Sequence, residues 1–384
     1  MASVQARHSR NCALGGIWTP ANRTGAKSGC TCRPSFYVVL RDEGRLVRER
    51  IGKNRRQAEA MRDKRAVELH EGAYLTPSRL TFAEWGDVWL RLLDRQKATT
   101  RKEYASSVEW AKRAFGNRLL RQLRPLHIGE LNQMMRNEGL SSSTRNKHVR
   151  ALATCLESAV RHGHLPRNPV RDLPHGERPR PERKEAAYFE QAELPQLFAH
   201  VHDPLYRTLL LTALKTGMRQ GELVALTWGD VDLGAAVIRV RRSFTLDTVT
   251  EPKMGQRRDV DLSRDVVELL GEWWGESGRP GDAALVFPNT TRGYLNTSNI
   301  RNRKLYPAME AAGIPRLGPT GENRTFHSFR HTFAKRALET GRSLTWLSRH
   351  LGHSSLAVTT EIYGHFERAE RKRQIAEMAG QFGV

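Results

Sequence analysis

The sequence predicts a mainly α, multidomain protein with small β elements, an α+β arrangement, and three observations predict it. The chain has 384 residues, room for about two or three domains. Apolar residues recur at helical spacing from residue 81 nearly to the end, whereas alternation with a period of two is confined to two short stretches, near residues 36–51 and 237–262.

Residues 1–34 are rich in Gly, Ser, Asn and Arg without sustained periodicity and read as a basic flexible arm. From Ser35, Phe36, Val38 and Leu40 alternate, break at Asp42, Glu43 and Gly44, and resume through Leu46, Val47 and Ile51, predicting a hairpin that turns at Gly44. A helix follows from about Arg56 to His70, completing a small module over 35–76. Residues 1–75 hold 15 basic and 7 acidic side chains, so this module reads as a DNA-binding unit.

Thr81 is an N-cap for a helix carrying Phe82, Trp85, Trp89, Leu92 and Leu93. Further helical faces follow at Val108, Ala111 and Phe115, at Ile128, Leu131 and Met135, and, after Ser141, Ser142 and Ser143, at Val149, Leu152, Leu156 and Val160. Together they make a helical domain over 79–170, and the Pro-rich, charged stretch over 171–187 is a linker. The last domain, 188–384, begins with helices to about Val201, from Leu205 to Leu214, and after Gly217. A strand pair interrupts it, with Val237, Ile238 and Val240 on one arm, Val260 and Leu262 on the other, and Pro252 and Gly255 at the tip. Helices resume with Val266, Leu269 and Trp273 and continue past a Gly- and Pro-rich loop at Leu317 to Glu322.

Charge narrows the function. The formal net charge is +22, the isoelectric point is near 10.5, and 50 of the 63 basic residues are arginine, whose planar fork grips phosphate oxygens in pairs. A polyanion is the natural partner, and nucleic acid leads over an acidic membrane surface. Mean hydropathy is −0.59 and no apolar run approaches the ~18 residues of a membrane span, nor is there a signal-peptide core, so the expectation is a cytoplasmic protein with no membrane partner. Phosphate-loop, dinucleotide, zinc-protease and serine-hydrolase motifs are absent, and no cofactor is expected. No metal is assigned either. Cys12, Cys30 and Cys32, with His8 nearby, leave zinc binding open but miss the usual finger spacing, Cys155 falls on an apolar helical face, and no Asp, Glu or Cys at suitable spacing completes a shell around His350 and His353.

What remains in the last domain is an ordered set of phosphate-seeking groups: Arg219 in TGMRQGEL, Lys253 in the hairpin, His327 and Arg330 in HSFRHTFA, His353 in LGHSS, and Tyr363 in EIYGH. His327 and Arg330 share a face if helical, and Gly217 and Gly221 let the backbone turn tightly around Arg219. In their order and spacing these boxes strongly resemble the tyrosine recombinases, specifically the phage-type integrases with a basic N-terminal arm-binding module, and the resemblance spans nearly the whole chain. It implies that 79–170 is the helical (SAM-like) core-binding domain that clamps double-stranded DNA with the catalytic domain. It also implies a homotetramer on synapsed attachment sites, and leaves room for a host bending protein and a directionality factor. A Met follows Lys253 where the family usually has Thr or Ser, and Ser328 and Phe329 replace the commoner Asp and Leu.

The chemistry asks for the same residue types. The transition state of phosphodiester attack spreads charge onto non-bridging oxygens, which Arg219 and Arg330 suit as fixed forked donors without a metal. Tyr363 is the nucleophile and Lys253, on a hairpin, the general acid for the leaving 5′-oxygen. By carry-over, His327 orients the tyrosine or accepts its proton and His353 donates to the phosphate, while Glu222 supports Arg219. The apolar residues Phe366, Ile375, Met378 and Phe382 beyond Tyr363 are spaced for a helix that packs on its own domain or on a neighbouring protomer. Two rivals stand beside this reading. A type IB topoisomerase shares the chemistry but relaxes supercoils alone, and a decayed DNA-binding regulator explains the charge but not six intact positions.

Overall fold

The computed structural model describes residues 2–12, 14, 16, 18–21, 32–42, 45–70, 79–181, 185–250 and 257–379. The chain divides into two compact units, Met1–Glu182 and Arg183–Val384, the division falling inside the Pro-rich stretch read as a linker.

The first unit opens where a flexible arm was expected. Strands β1 (Ser3–Arg7) and β2 (Trp18–Pro20) instead pair antiparallel with each other, and β1 pairs with β3 (Ser35–Asp42), which pairs with β4 (Arg45–Gly52). The order is β2-β1-β3-β4, so residues 1–34 supply half of the strands of this sheet. The short alternation at Val4 and Ala6 was too brief to read by periodicity, because its partners across β3, Val38 and Phe36, supply the pattern. The expected β3–β4 hairpin forms, with Gly44 outside the described residues. Helix α1 (Arg55–His70) covers one sheet face, where Ala6 and Phe36 cluster with Ala58, and Val38 and Leu40 pack with the partly buried Met61 and Leu69. By alternation the other face carries Arg7, Trp18, Tyr37 and Arg48; Trp18 meets Tyr37 edge-on at 4.7 Å, with the Arg48 guanidinium 4.8 Å from its ring.

Four helices follow in the same unit: α2 (Phe82–Arg91), α3 (Ala98–Phe115), α4 (Pro125–Asn137) and α5 (Ser142–Arg161). Thr81 and Ser141 are the N-caps their side chains predict, and Thr81 forms a reciprocal capping box with Glu84. The apolar faces named from the sequence converge, with Trp85, Val108, Phe115, Ile128, Leu131, Leu152 and Leu156 in one core. Trp85 is buried and its indole N–H donates to the Cys155 carbonyl at 3.1 Å, tying α2 to α5. Cys155 lies in that core as expected.

The second unit contains α6 (Glu193–Ala199), α7 (Pro204–Thr216), α8 (Gln220–Val224), β5 (Val231–Asp232), β6 (Val237–Val240), β7 (Ser243–Thr245), β8 (Thr248–Thr250), β9 (Arg258–Asp261), α9 (Arg264–Glu276) and α10 (Thr297–Asn299). A π-helical turn over Ile300–Leu305 leads into α11 (Tyr306–Ala311), and α12 (His327–Glu339), α13 (Leu344–Leu351) and α14 (Leu356–Ala379) complete it. The expected strand pair is β6 against β9, with Ile238 opposite Val260, but two features differ from the simple hairpin read from sequence. β5 adds a third strand, and the excursion between β6 and β9 folds a second hairpin, β7–β8, whose turn residues Leu246 and Asp247 both have positive φ. Pro252, Lys253 and Gly255 fall in 251–256, outside the described residues.

No helix among the described residues is long and apolar enough to cross a membrane. Replacing Trp85 with Phe removes the indole donor and leaves a buried carbonyl without that partner; we expect a loss of about 2 kcal/mol in urea unfolding of the full chain. An unchanged midpoint would show that the α2–α5 tie contributes nothing.

Candidate active site

The site forms where the C-termini of α7 and α13 meet. Both helices end on a glycine in the left-handed region, Gly217 (φ 64°) and Gly352 (φ 64°), and both leave backbone carbonyls without helical partners. Added Cβ atoms would also collide, at Gly217 with Phe333 at 2.7 Å and at Gly352 with the Arg258 side chain at 2.9 Å. Gly221 has a different role from the turn expected of it. A Cβ there would lie 2.7 Å from the Phe244 carbonyl, so its missing side chain lets α8 approach β7.

Those orphan carbonyls are taken by cations. Arg330, on the first turn of α12 and only 1% exposed, donates to the Gly217 carbonyl at 2.8 Å and to the Leu351 carbonyl at 2.7 Å. Arg219 donates to the Gly352 carbonyl at 2.8 Å, and Arg258, at the start of β9, donates to the His350 carbonyl at 2.9 Å. The His350 ring nitrogen Nε2 lies 3.0 Å from the Thr216 carbonyl, and its ring stacks on Phe333. The negative ends of two helix dipoles thus face the cationic cluster.

One carboxylate holds the cluster together. Glu222 is 2% exposed; it accepts from Arg219 at 2.9 Å and from both Arg258 Nη atoms at 2.9 and 2.8 Å. It also accepts the Arg219 backbone N–H, closing a capping box at the start of α8. Burial alone raises its carboxyl pKa, but the Arg258 hydrogen bonds and charge, with those of Arg219, more than reverse this and hold it at about 2. Glu222, expected to support Arg219, is hydrogen-bonded to it, and it also binds a second arginine that sequence reasoning did not single out. Arg258 sits beside Arg257 with no motif around it, which is why it was missed.

Tyr363, on α14, is 1% exposed and packs among Ala334, Leu338, Leu347 and Leu351. Burial pushes its phenol up to about 12, against the downward pull of Arg330 and Arg219. Its hydroxyl is 2.6 Å from Nδ1 of His331, a residue the sequence gave no catalytic place. Burial and the charges of His327 and Arg330 hold His331 well below the usual histidine range, at about 3, so near neutral pH the ring is uncharged and the phenol donates to it. His327 lies edge-on to His331 with centroids 4.6 Å apart, and keeps an exposed edge on the groove lined by Gln220, Thr297, Ser298 and Arg301. His353 places Nδ1 2.7 Å from the Thr359 hydroxyl, and its ring lies parallel to Tyr363 at 6.5 Å. Burial and then Arg330 and Arg219 lower it to about 4.

Five of the six residues expected to act, Arg219, His327, Arg330, His353 and Tyr363, lie in this one region; the sixth, Lys253, is outside the described residues. Lys215, the nearest lysine to Arg219 in sequence, is ion-paired to Asp265 on α9. The start of α12 is fixed from outside by Arg324, 1% exposed, whose guanidinium grips Glu193 with contacts of 2.8 and 2.7 Å, and by Thr332, which accepts the Phe189 N–H. Of the tail, Phe366 packs beside Tyr363 within its own domain and Ile375 is exposed, while the side chain of Met378 and all of Phe382 lie outside the described residues.

Because Glu222 titrates near 2 when folded and 4.5 when unperturbed, its contribution of about 3 kcal/mol is complete above pH ~4.5 and drains away as pH falls toward 2. Glu222→Gln is expected to cost about 3–5 kcal/mol at pH 7, measured by urea unfolding, and to flatten this acid limb. A variant with the wild-type acid slope would show that the carboxylate is not the anchor.

Residues 187–370 match the phage integrase family. A XerC-like tyrosine recombinase of Caldanaerobacter subterraneus subsp. tengcongensis is 26% identical over 362 residues, covering 85% of this chain and 90% of its own. The putative prophage phiRv2 integrase of Mycobacterium tuberculosis is 27% identical over 308 residues, 77% of each chain. Among solved structures, the Tn1549 transposon integrase in complex with transposon right end DNA superposes with a TM-score of 0.67 at 19% identity, covering 78% of this chain and 100% of that one. A lambda integrase dimer bound to a COC′ core site does so at 0.60 and 20% identity, covering 86% and 92%. These two likenesses establish a shared fold. With that fold and these relatives, residues 187–370 are a phage integrase family domain, and the chain is a tyrosine recombinase, an enzyme of site-specific DNA strand breakage and rejoining.

Proposed function

We propose that this recombinase is the integrase of a phage or other mobile element, acting on double-stranded DNA at attachment sites through a 3′-phosphotyrosyl link on Tyr363 and a Holliday junction. Neither a topoisomerase nor a decayed regulator is favoured by the relatives, which are recombinases and integrases. The observation that carries the reading is the charge balance of the site. Among the described residues, Arg219, Arg258 and Arg330 surround Glu222 as the one carboxylate bonded among them, leaving a net charge of about +2 that a phosphodiester approaching its transition state complements.

Residue roles follow from the contacts. Arg258 keeps Glu222 charged and in place, so that Arg219 and Arg330 present their remaining N–H donors to the non-bridging oxygens. His353, its Nδ1 committed to Thr359, offers Nε2 to the phosphate. Tyr363 Oη forms a bond to phosphorus as the bond to the 5′-oxygen breaks, and the 3′-phosphotyrosyl link conserves the bond energy for religation. The tyrosyl proton passes to His331, the ring in hydrogen-bond contact with it, with His327 packed against that ring; this moves the role inherited by His327 one helical turn along. Lys253 donates the proton to the leaving 5′-oxygen. Until substrate arrives, a phenol at about 12 is a poor nucleophile: ionising it at pH 7 costs about 7 kcal/mol.

The helical domain over 79–170 serves as the core-binding half of a clamp, and the sheet module over 2–70 reads arm-type DNA through the basic and aromatic face of Arg7, Trp18, Tyr37 and Arg48. A homotetramer on two synapsed sites in the bacterial cytoplasm, with a host bending protein and a directionality factor, completes the proposal.

Trapping on a nicked suicide duplex of the element's own core site tests it. Wild type is expected to give a covalent protein–DNA band and Tyr363→Phe none, while Arg330→Gln and Arg219→Gln bind the duplex but form the adduct about 10²–10³ times more slowly. A band that survives Tyr363→Phe, or arginine variants at the wild-type rate, would contradict the assignment.

A further inference from the structure

The N-terminal sheet gathers a set of donors that recombination chemistry does not use. His8 directly follows β1, Cys12 lies in the connection to β2, and Cys32 lies just before β3, so Cys32 is far in sequence from the other two. The sheet brings one ligand atom of each within 4.8 Å of the others. Cys32 Sγ is 3.3 Å from Nδ1 of His8, and the other nitrogen of the same ring is 3.0 Å from the Thr19 hydroxyl on β2. The Leu14 backbone N–H donates to Cys12 Sγ at 3.3 Å. His8 is 3% exposed, in a module whose other buried side chains, among the described residues, are apolar.

We propose that His8, Cys12 and Cys32 bind a structural zinc ion. Zn–S bonds of about 2.3 Å and Zn–N bonds of about 2.0–2.1 Å set tetrahedral edges near 3.5–3.8 Å; here Cys32 Sγ and His8 Nδ1 are 3.3 Å apart and all three donors lie within 4.8 Å of one another. The second shell fits as well. With Nε2–H donating to Thr19, Nδ1 of His8 carries the lone pair toward the sulfurs, and a backbone N–H on a cysteine sulfur stabilises its thiolate. Binding displaces the two thiol protons to solvent, so two thiolates and a neutral imidazole leave the metal site uncharged and the ion needs no other counter-charge. Cys30 lies outside the described residues, and the proposal stands on the three donors.

The fold supplies a reason for the ion. The apolar core under this sheet is small, with alanine at Ala6, Ala21 and Ala58 where larger side chains would bury more surface. A module of this size that buries so little ordinarily needs a staple. A metal held by His8, Cys12 and Cys32 ties the β1–β2 connection to the entry of β3, across the longest loop of the sheet.

The test uses the full chain purified under reducing conditions. Wild type and Cys155→Ala are expected to carry about one zinc per chain. After removal of that zinc, Co²⁺ should give tetrahedral visible bands with a sulfur charge-transfer band in the near ultraviolet. The Cys12→Ser/Cys32→Ser double variant should lose metal and bands while keeping its helical circular dichroism, and Thr19→Val should bind Co²⁺ about 10–100 times more weakly. Wild type that retains no zinc and gives no cobalt bands would overturn the proposal, as would bands of full strength in the folded double variant. Full-strength bands lost only in Cys155→Ala would move the site elsewhere and overturn it equally.

Discussion

Three arginines stay within reach of one another, without substrate, because a single carboxylate and the ends of two helices neutralise them. Glu222 takes two of them, and the carbonyls of Gly217, His350, Leu351 and Gly352 take the donors that would otherwise be unpaired. Buried like charges repel strongly at low dielectric, so without these partners the cluster would either open to water or lose its shape. The requirement reaches far into the fold. α7 and α13 must end at the same place, both must end on glycine, and α8 must lie close against β7. The negative helix ends then hold a positive site ready for an anion, and little has to reorganise when a phosphate enters.

The nucleophile is treated in the opposite way. Tyr363 is surrounded by aliphatic side chains and its hydroxyl is engaged by an uncharged His331, so the same burial that fixes its position keeps it protonated. The cations are assembled in advance and the phenolate is withheld. For an enzyme whose reaction breaks DNA strands, this division keeps a reactive group silent until a phosphate and its neighbours occupy the site.

Sequence and structure agree where the signal is local or repeats within one element. The helical faces of α2 to α5, their caps at Thr81 and Ser141, and the boxes holding Arg219, His327, Arg330, His353 and Tyr363 are legible because spacing along a helix, or a glycine beside an arginine, carries the information. What escaped depends on pairing between distant segments. β1 and β2 look irregular alone, and only the partners on β3 make them strands. Arg258 is one of many arginines until the β6–β9 pairing carries it to Glu222, 36 positions away. His331 reads as a neighbour of Arg330, and nothing short of the fold of α14 onto α12 puts it on the Tyr363 hydroxyl. The donors around His8 and Cys32 missed every finger spacing for the same reason, since a sheet rather than a short loop brings them together.

The central claim is that the phosphate site is built before DNA arrives and is anchored by Glu222. A structure of the full chain on a nicked core-site duplex, with vanadate replacing the scissile phosphate, tests it most directly. The account predicts vanadate oxygens hydrogen-bonded to Arg219 and Arg330, with Arg258 still bridging Glu222 and the three guanidinium groups close to their positions without DNA. Arg258 released from Glu222 to bind the vanadate, or Arg330 drawn away from the carbonyls of Gly217 and Leu351, would contradict it.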